Sequence, residues 1–150
     1  ARLRSYFNEV VSHVTGQSAI LAARMNASGG LDFSAEFVGE SGTATSGDQG
    51  TTYKKLLCIA FDLAMLRSFI DVPFARFVYH AGALEQLEPR KREKLLEVFR
   101  QYAEYGVQIV FSALDSDFPG LVSDSLTPDD IVIALHDDGD DGRLFKMPAW

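Results

Sequence analysis

The residues best suited to chemistry fall in three places. The first is Gly42-Thr43-Ala44-Thr45-Ser46-Gly47-Asp48-Gln49-Gly50-Thr51-Thr52, a small, polar, glycine-rich loop running into an apolar helical pattern, Tyr53 to Phe69. A glycine loop feeding a helix exposes unpaired backbone N–H groups at the positive end of the helix dipole. That is an anion site, and phosphate is the usual anion. A flexible loop before a buried helix is the plainer reading of the same residues. The second place is His80, at the carboxyl end of an apolar stretch, with Ala81, Gly82 and the carboxylates Glu85 and Glu88 after it. Those carboxylates could face a ligand or cap the next helix. The third is the acidic run Asp137 to Asp141. It lacks the spacing and distal glutamate of an EF-hand loop and has the ordinary composition of a hairpin turn.

Two further chemistries are tested and set aside. Ser46, His80 and Asp115 are the right residue types for a nucleophilic triad, but no nucleophile-elbow pattern surrounds Ser46. His13 and His136 have no His or Cys partner at metal-ligand spacing and read as structural. No metal site is expected in this chain. No G-x-x-x-x-G-K-[ST] occurs, so the chain has no triphosphate cradle of that kind.

These residues need elements to hold them. Leu3, Phe7, Val10 and Val14 step by four, three and four, so residues 1–14 read as a helix, either the end of a coiled coil or an amphipathic helix packed on the domain. Gly16 is a plausible stop. Ser18 to Arg24 reads as a strand, Asn26 to Gly30 as a turn, and the alternation of Leu31, Phe33, Ala35 and Phe37 with polar residues as a half-exposed antiparallel strand. After the Tyr53–Phe69 helix, Asp71-Val72-Pro73 breaks the chain. Phe74 to Tyr79 reads as a strand covered on both faces. Pro89 opens a helix to about Tyr105, with Leu95, Leu96, Phe99, Tyr102 and Ala103 inward, and Val107 to Phe111 is a second buried strand. Strand, helix and strand at this length form a parallel βαβ unit. Its ligands belong beyond the strands' carboxyl ends, at His80-Ala81-Gly82 and Ser112-Ala113-Leu114-Asp115. Ile131 to Leu135 and Arg143 to Met147 are expected to pair as a hairpin around the acidic turn.

The 150 residues suffice for one domain with a core, at 47% hydrophobic and 23% charged. A net charge of −7 argues against a nucleic-acid-binding surface on this piece alone. The single cysteine, Cys58, is expected in the core, and without a pair it fits a reducing compartment, the cytoplasm. No apolar run reaches membrane-spanning length. The chain starts inside a helical pattern without Met, which reads as part of a longer protein.

The order of parts resembles the C-terminal lobe of an SMC/RecF/RecN-type ABC ATPase head. More closely, it looks like the C-terminal domain of the YydD-like (DUF2326) proteins, a group of SMC-like ATPases. The stretches carrying the match are TSGDQGTTYKKLLCIAFDLAMLRS, FVYHAGALEQLEPRKRE and LHDDGDDGRLFKMPAW. Thr45-Ser46-Gly47-Asp48-Gln49 resembles the ABC signature, with Asp48 in place of its second glycine. The resemblance implies that this loop binds the γ-phosphate of ATP held by the opposite subunit. Phe77-Val78-Tyr79-His80-Ala81 resembles Walker B. His80 stands where the Mg²⁺-associated Asp belongs, as in the YydD-like group, and Ala81 stands where that group carries the acid that positions the attacking water. Ala83 to Arg90, with Glu85 and Glu88, resembles the D-loop, and Ser112-Ala113 falls where ABC proteins carry a switch histidine.

The fold implied is α/β: a mainly parallel sheet with flanking helices and a C-terminal hairpin. Residues 1–14 would end a coiled coil and 15–150 would form the C-terminal lobe of the head. ATP and Mg²⁺ would serve the full-length dimer and not this piece alone. The implied partners are the protein's own N-terminal lobe carrying Walker A, a second copy joined through ATP, and DNA or other proteins reached through further regions. DNA repair or anti-phage defence would be the setting. Hydrolysis would be impaired by Ala81. The alternative is a non-catalytic α/β interaction module, a degenerate head.

Overall fold

A computed structural model describes residues 2–39, 50–117, 126–136 and 142 of the chain. Helix α1 (Arg2–Thr15) leads into strands β1 (Ala19–Met25) and β2 (Leu31–Phe37), then helix α2 (Thr51–Ser68), strand β3 (Phe77–His80), helix α3 (Pro89–Glu104) and strand β4 (Gln108–Phe111). Two short 3-10 turns follow, Asp115–Asp117 and Pro128–Asp130. Among the described residues there are two two-stranded sheets, β1 with β2 antiparallel and β3 with β4 parallel.

The helices form the core. The α1 stripe is buried through Phe7, Val10, Val11 and Val14, which pack with Leu56, Ile59, Ala60 and Leu63 of α2 and Leu95, Leu96 and Phe99 of α3. Removing such a side chain fully from water is worth about 1.5–3 kcal/mol, so this three-helix seam dominates local stability. One polar residue pins it. The Arg67 guanidinium donates to Glu9 Oε1 at 2.8 Å and lies 4.2 Å above the Tyr6 ring and 4.9 Å above that of Tyr105. It thereby ties the end of α2 to α1 and to the end of α3.

The hairpin follows its sequence pattern. Asn26 Oδ1 accepts from the Ser28 and Gly30 N–H groups at 3.2 and 2.8 Å and closes the turn. Only the Phe37 end of β2 reaches the core. Phe33 lies half exposed against Phe61, with ring centroids 5.1 Å apart, and Leu31 is exposed.

Several expectations change. β3 is four residues long, and one face alone is covered. Val78, His80, Ile109 and Phe111 turn toward the helices, whereas Phe77, Tyr79 and Val110 are exposed. Phe74 and Ala75, between the chain break and β3, lie outside the ladder and are exposed, and Arg76 O accepts from the Gln108 N–H at its start. Ala103 is exposed and Val98 takes its place inward. Cys58 is exposed, on the outer side of α2. Ile131 to Leu135 is exposed and has no strand conformation. The acidic turn Asp137–Asp141 and the return segment Arg143 to Met147 lie outside the described residues.

Candidate functional site

β3 and β4 run parallel with His80 opposite Phe111, so their carboxyl ends meet at one edge of the lobe. The Ser112 N–H donates to His80 O at 3.1 Å, and Ser112 Oγ accepts from the Gly82 N–H at 3.0 Å. Ser112 therefore fixes the turn that leaves β3. Its neighbour Ala113 makes no such bond.

His80 is half buried, and its Nε2 is enclosed with no hydrogen-bond partner among the described residues. Burial pushes the imidazole pKa below its ordinary value, and the Asp62 carboxylate of α2 pulls it partly back. Asp62 is itself shifted upward by burial, with His80 opposing the shift. Both groups are partly desolvated, and each opposes the other's shift. A neutral imidazole can accept a proton or offer one lone pair to a cation. It does not bring the negative charge that a carboxylate would give Mg²⁺. Among the described residues no group of three or more His, Cys, Asp or Glu is placed to hold a metal. The residues seen here do not make a magnesium site by themselves.

Ala81 is exposed, and its side chain can neither take a proton nor orient a water. Gly82 follows at φ +58°, a left-handed conformation suited to glycine. Glu85 folds back over it, so that a Cβ on Gly82 would fall inside the Glu85 carboxylate. Lys55, in the second turn of α2, donates from Nζ to both Gly82 O and Glu85 Oε2, each at 3.0 Å. Gln86 is left-handed at φ +61°, and its Oε1 accepts from Thr52 Oγ1 at 2.9 Å.

Glu88 takes a different position from Glu85. It is the N-cap residue of α3, makes no side-chain cap bond, and pairs with Lys91 at 3.2 Å. Lys91 in turn donates to Tyr53 Oη at 2.8 Å, and Tyr53 packs edge-on against Phe37. The start of α2, the start of α3 and the end of β2 are thus joined.

The signature-like residues Thr45, Ser46, Gly47, Asp48 and Gln49 lie outside the described residues. Gly50, next after Gln49, is the N-cap of α2 with no side-chain cap bond. The structure brings His80, Ala81 and Glu85 to the α2 side of the β3 end and sets Glu88 on α3. His13 is exposed and pairs with Glu97 at 2.8 Å, and the His136 N–H donates to Gly142 O at 2.9 Å. Sequence reading missed Lys55, Asp62 and the bonding role of Ser112. One signal was available: Lys55 and Asp62 are seven residues apart, two helical turns, and so lie on one face of an otherwise apolar helix.

The fold has known counterparts. An SMC head bound to the C-terminal winged-helix domain of ScpA superposes with a TM-score of 0.57 at 20% identity, covering 76% of this chain and 35% of that one. The Smc head domain with an extended coiled coil from Pyrococcus furiosus, bound to the C-terminal domain of ScpA, gives 0.55 at 19% identity, covering 76% and 28%. An SMC ATPase structure from work on ATP-driven dimerization and DNA-stimulated activation gives 0.50 at 20%, covering 75% and 67%. The chain therefore has the fold of part of an SMC head and spans about a third of the first two structures it matches. Comparison with curated protein sequences finds no match. The family model for DUF2326, described as uncharacterised proteins conserved in bacteria, matches residues 7–149. With nearly its whole length matched, the chain belongs to the DUF2326 family.

Proposed function

We propose that this chain is the C-terminal lobe of an SMC-like ATPase head, supplying the signature loop and a Walker B-like strand for ATP-driven head dimerisation. The observation that carries the reading is the joining of two regions at one end of the lobe. The turn leaving β3, with His80 and Ala81, is bonded through Gly82, Glu85 and Gln86 to the first turns of α2, which begin directly after Gly50. The exposed outer face of β3 and β4, with Phe77, Tyr79 and Val110, supports a larger sheet. A two-stranded pair is marginal in water, and parallel strands normally have both faces covered. The protein's own N-terminal lobe, carrying Walker A, is the natural cover. α1 then ends a coiled coil, and residues 15–150 form the lobe.

On this reading residues 45–49 would meet the γ-phosphate of ATP held by a second copy. When bound, ATP would supply the γ-phosphoryl group transferred to water, with ADP leaving, and Mg²⁺ would neutralise its charge. This chain's own residues orient the strand end and the loop. His80 sets an imidazole, its pKa pushed down by burial, where a carboxylate would ordinarily stand. Ala81 leaves the attacking water without a base, which costs about 10²–10⁴-fold in turnover. Glu85 shapes the crossing turn, and Glu88 stands at the N-cap position of α3, paired with Lys91. The head cycle would act in the cytoplasm on DNA or on a partner protein, in DNA repair or anti-phage defence, much as the SMC heads above bind ScpA.

A second reading is favoured by one observation. Neither His80 nor Ala81 carries a carboxylate, which fits a non-catalytic head that docks a partner. One experiment separates the two. The chain is joined to its N-terminal lobe, and ATP binding, dimerisation and turnover are measured with Ala81 and with Ala81→Asp. The ATPase reading expects ATP-dependent dimers in both and faster turnover with Asp, by up to the factor above. Restored turnover removes the non-catalytic reading. Absence of ATP binding and of ATP-dependent dimers in both variants removes the ATPase reading.

A further inference from the structure

We infer that Lys55 is a positioning residue that, together with Thr52, locks the start of α2 to the turn after β3, so that the two ends of the candidate site move as one unit. The consequence for turnover rests on the ATPase-head reading; the lock itself does not.

Three hydrogen bonds from two side chains make the lock. Lys55 Nζ reaches Gly82 O and Glu85 Oε2, both at 3.0 Å, and Thr52 Oγ1 reaches Gln86 Oε1 at 2.9 Å. Lys55 and Thr52 are three residues apart, so they lie on neighbouring positions of one helix face. Their acceptors span the whole turn, from its first left-handed residue, Gly82, to its last, Gln86. Gln86 is the one non-glycine residue with positive φ among the described residues. Such a conformation is sparsely populated and persists where surroundings hold it; here the Leu87 N–H to Leu84 O bond and the buried Leu84 and Leu87 hold the backbone, and the Thr52 bond adds a contact to the side chain. The Glu85 carboxylate lies close over Gly82, in space that a side chain there would occupy, and within reach of Lys55. The turn thus holds one residue, Gln86, in a disfavoured conformation, and α2 braces it at both ends beside its own backbone bonds. Whatever moves the start of α2 must drag or release the 82–86 turn.

Lys55 and Glu85 are partly exposed, their side chains 34% and 43% accessible, so the ion pair alone is weak. The carbonyl bond to Gly82 adds a charge-assisted contact. Neither is a step in chemistry, and Lys55 is not assigned a contact to nucleotide.

The test uses the full-length protein carrying Ala81→Asp, so that turnover is measurable, with Lys55→Met and Lys55→Arg added. Methionine keeps much of the aliphatic stem and removes the donors. Amide hydrogen exchange and ATPase kinetics are measured on all three. The expected result for Lys55→Met is faster exchange at the Glu85 and Leu87 amides, which close the turn, and at residues 52–55. With it comes an about three- to tenfold loss of kcat, the size of one modest polar contact, with KM for ATP within about twofold. Lys55→Arg, which can donate to both oxygens, should recover at least about half of the lost kcat. A protein merely loosened throughout would instead exchange faster in α3 as well. Exchange in the turn equal to that of the parent overturns the lock, whatever ATP does. Unchanged kcat in an active parent overturns the positioning role. A parent that neither binds ATP nor dimerises with it removes the head reading and the positioning role with it, while the exchange data still decide the lock.

Discussion

Gly82→Ala is the substitution whose effect follows most directly from the geometry. Gly82 is left-handed at φ +58°, and a Cβ there would enter the space of the Glu85 carboxylate. Two costs arise. Holding an alanine in the left-handed region costs about 1–2 kcal/mol. Glu85 must also swing away, which breaks its bond to Lys55; for a partly exposed pair this adds up to about 1 kcal/mol. The sum is about 1–3 kcal/mol. Gly29→Ala is the internal control. Gly29 is also left-handed, at φ +82°, yet a Cβ there meets nothing within 4 Å. It carries the first cost without the second, and the entropy that alanine removes from the unfolded chain is common to both. Urea unfolding followed by circular dichroism measures the difference. Gly82→Ala should be the more destabilising by up to about 1 kcal/mol. In a Glu85→Ala background that excess should vanish. Equal costs at the two glycines, or an excess that survives Glu85→Ala, would refute the reasoning.

Two further outcomes join those given above for Ala81→Asp and Lys55→Met. Asp130 has its pKa lowered to about 2 from an ordinary 3.8, first by the Arg100 hydrogen bond and then by the Thr127 N–H and hydroxyl. Below the ordinary value the unfolded chain binds more protons than the folded one. Its stabilising effect is therefore complete above about pH 4 and lost as the pH falls toward 2, and Asp130→Asn should flatten that part of an acid unfolding curve. Cys58, exposed on α2, should react with a maleimide in the native protein. A thiol that reacts only after denaturant is added would place it inside.

Much of the fold was legible in local pattern. The α1 stripe, the Asn26–Gly30 turn and the break after α2 follow from spacing and turn chemistry, and Pro89 marked the start of α3. Phe74 to Tyr79 reads as a doubly covered strand because apolar content records that a face is to be covered and not what covers it. Here α2 and α3 supply one side only. Cys58 was misplaced although Lys54 and Asp62, four residues before and four after it, mark its side of α2 as the outer one. In the candidate site, His80 and Ala81 stood out by type at a strand end. Lys55 and Asp62 did not, since their meaning depends on partners about thirty and eighteen residues away that tertiary packing brings to them.

Arg67 and Lys55 sit near opposite ends of α2, twelve residues or about 18 Å apart along the axis. One end is pinned to Glu9, Tyr6 and Tyr105, the other to the Gly82–Glu85 turn. A continuously hydrogen-bonded helix neither shortens nor shears easily, so α2 behaves as a push-rod between two bearings. An ångström of axial slip where α1 grips Arg67 arrives at Lys55 as a displacement of similar size. α1 also packs along the helix between the pins, through Leu56, Ile59, Ala60 and Leu63, so the mechanical path from the first helix to the strand end runs through that seam as well.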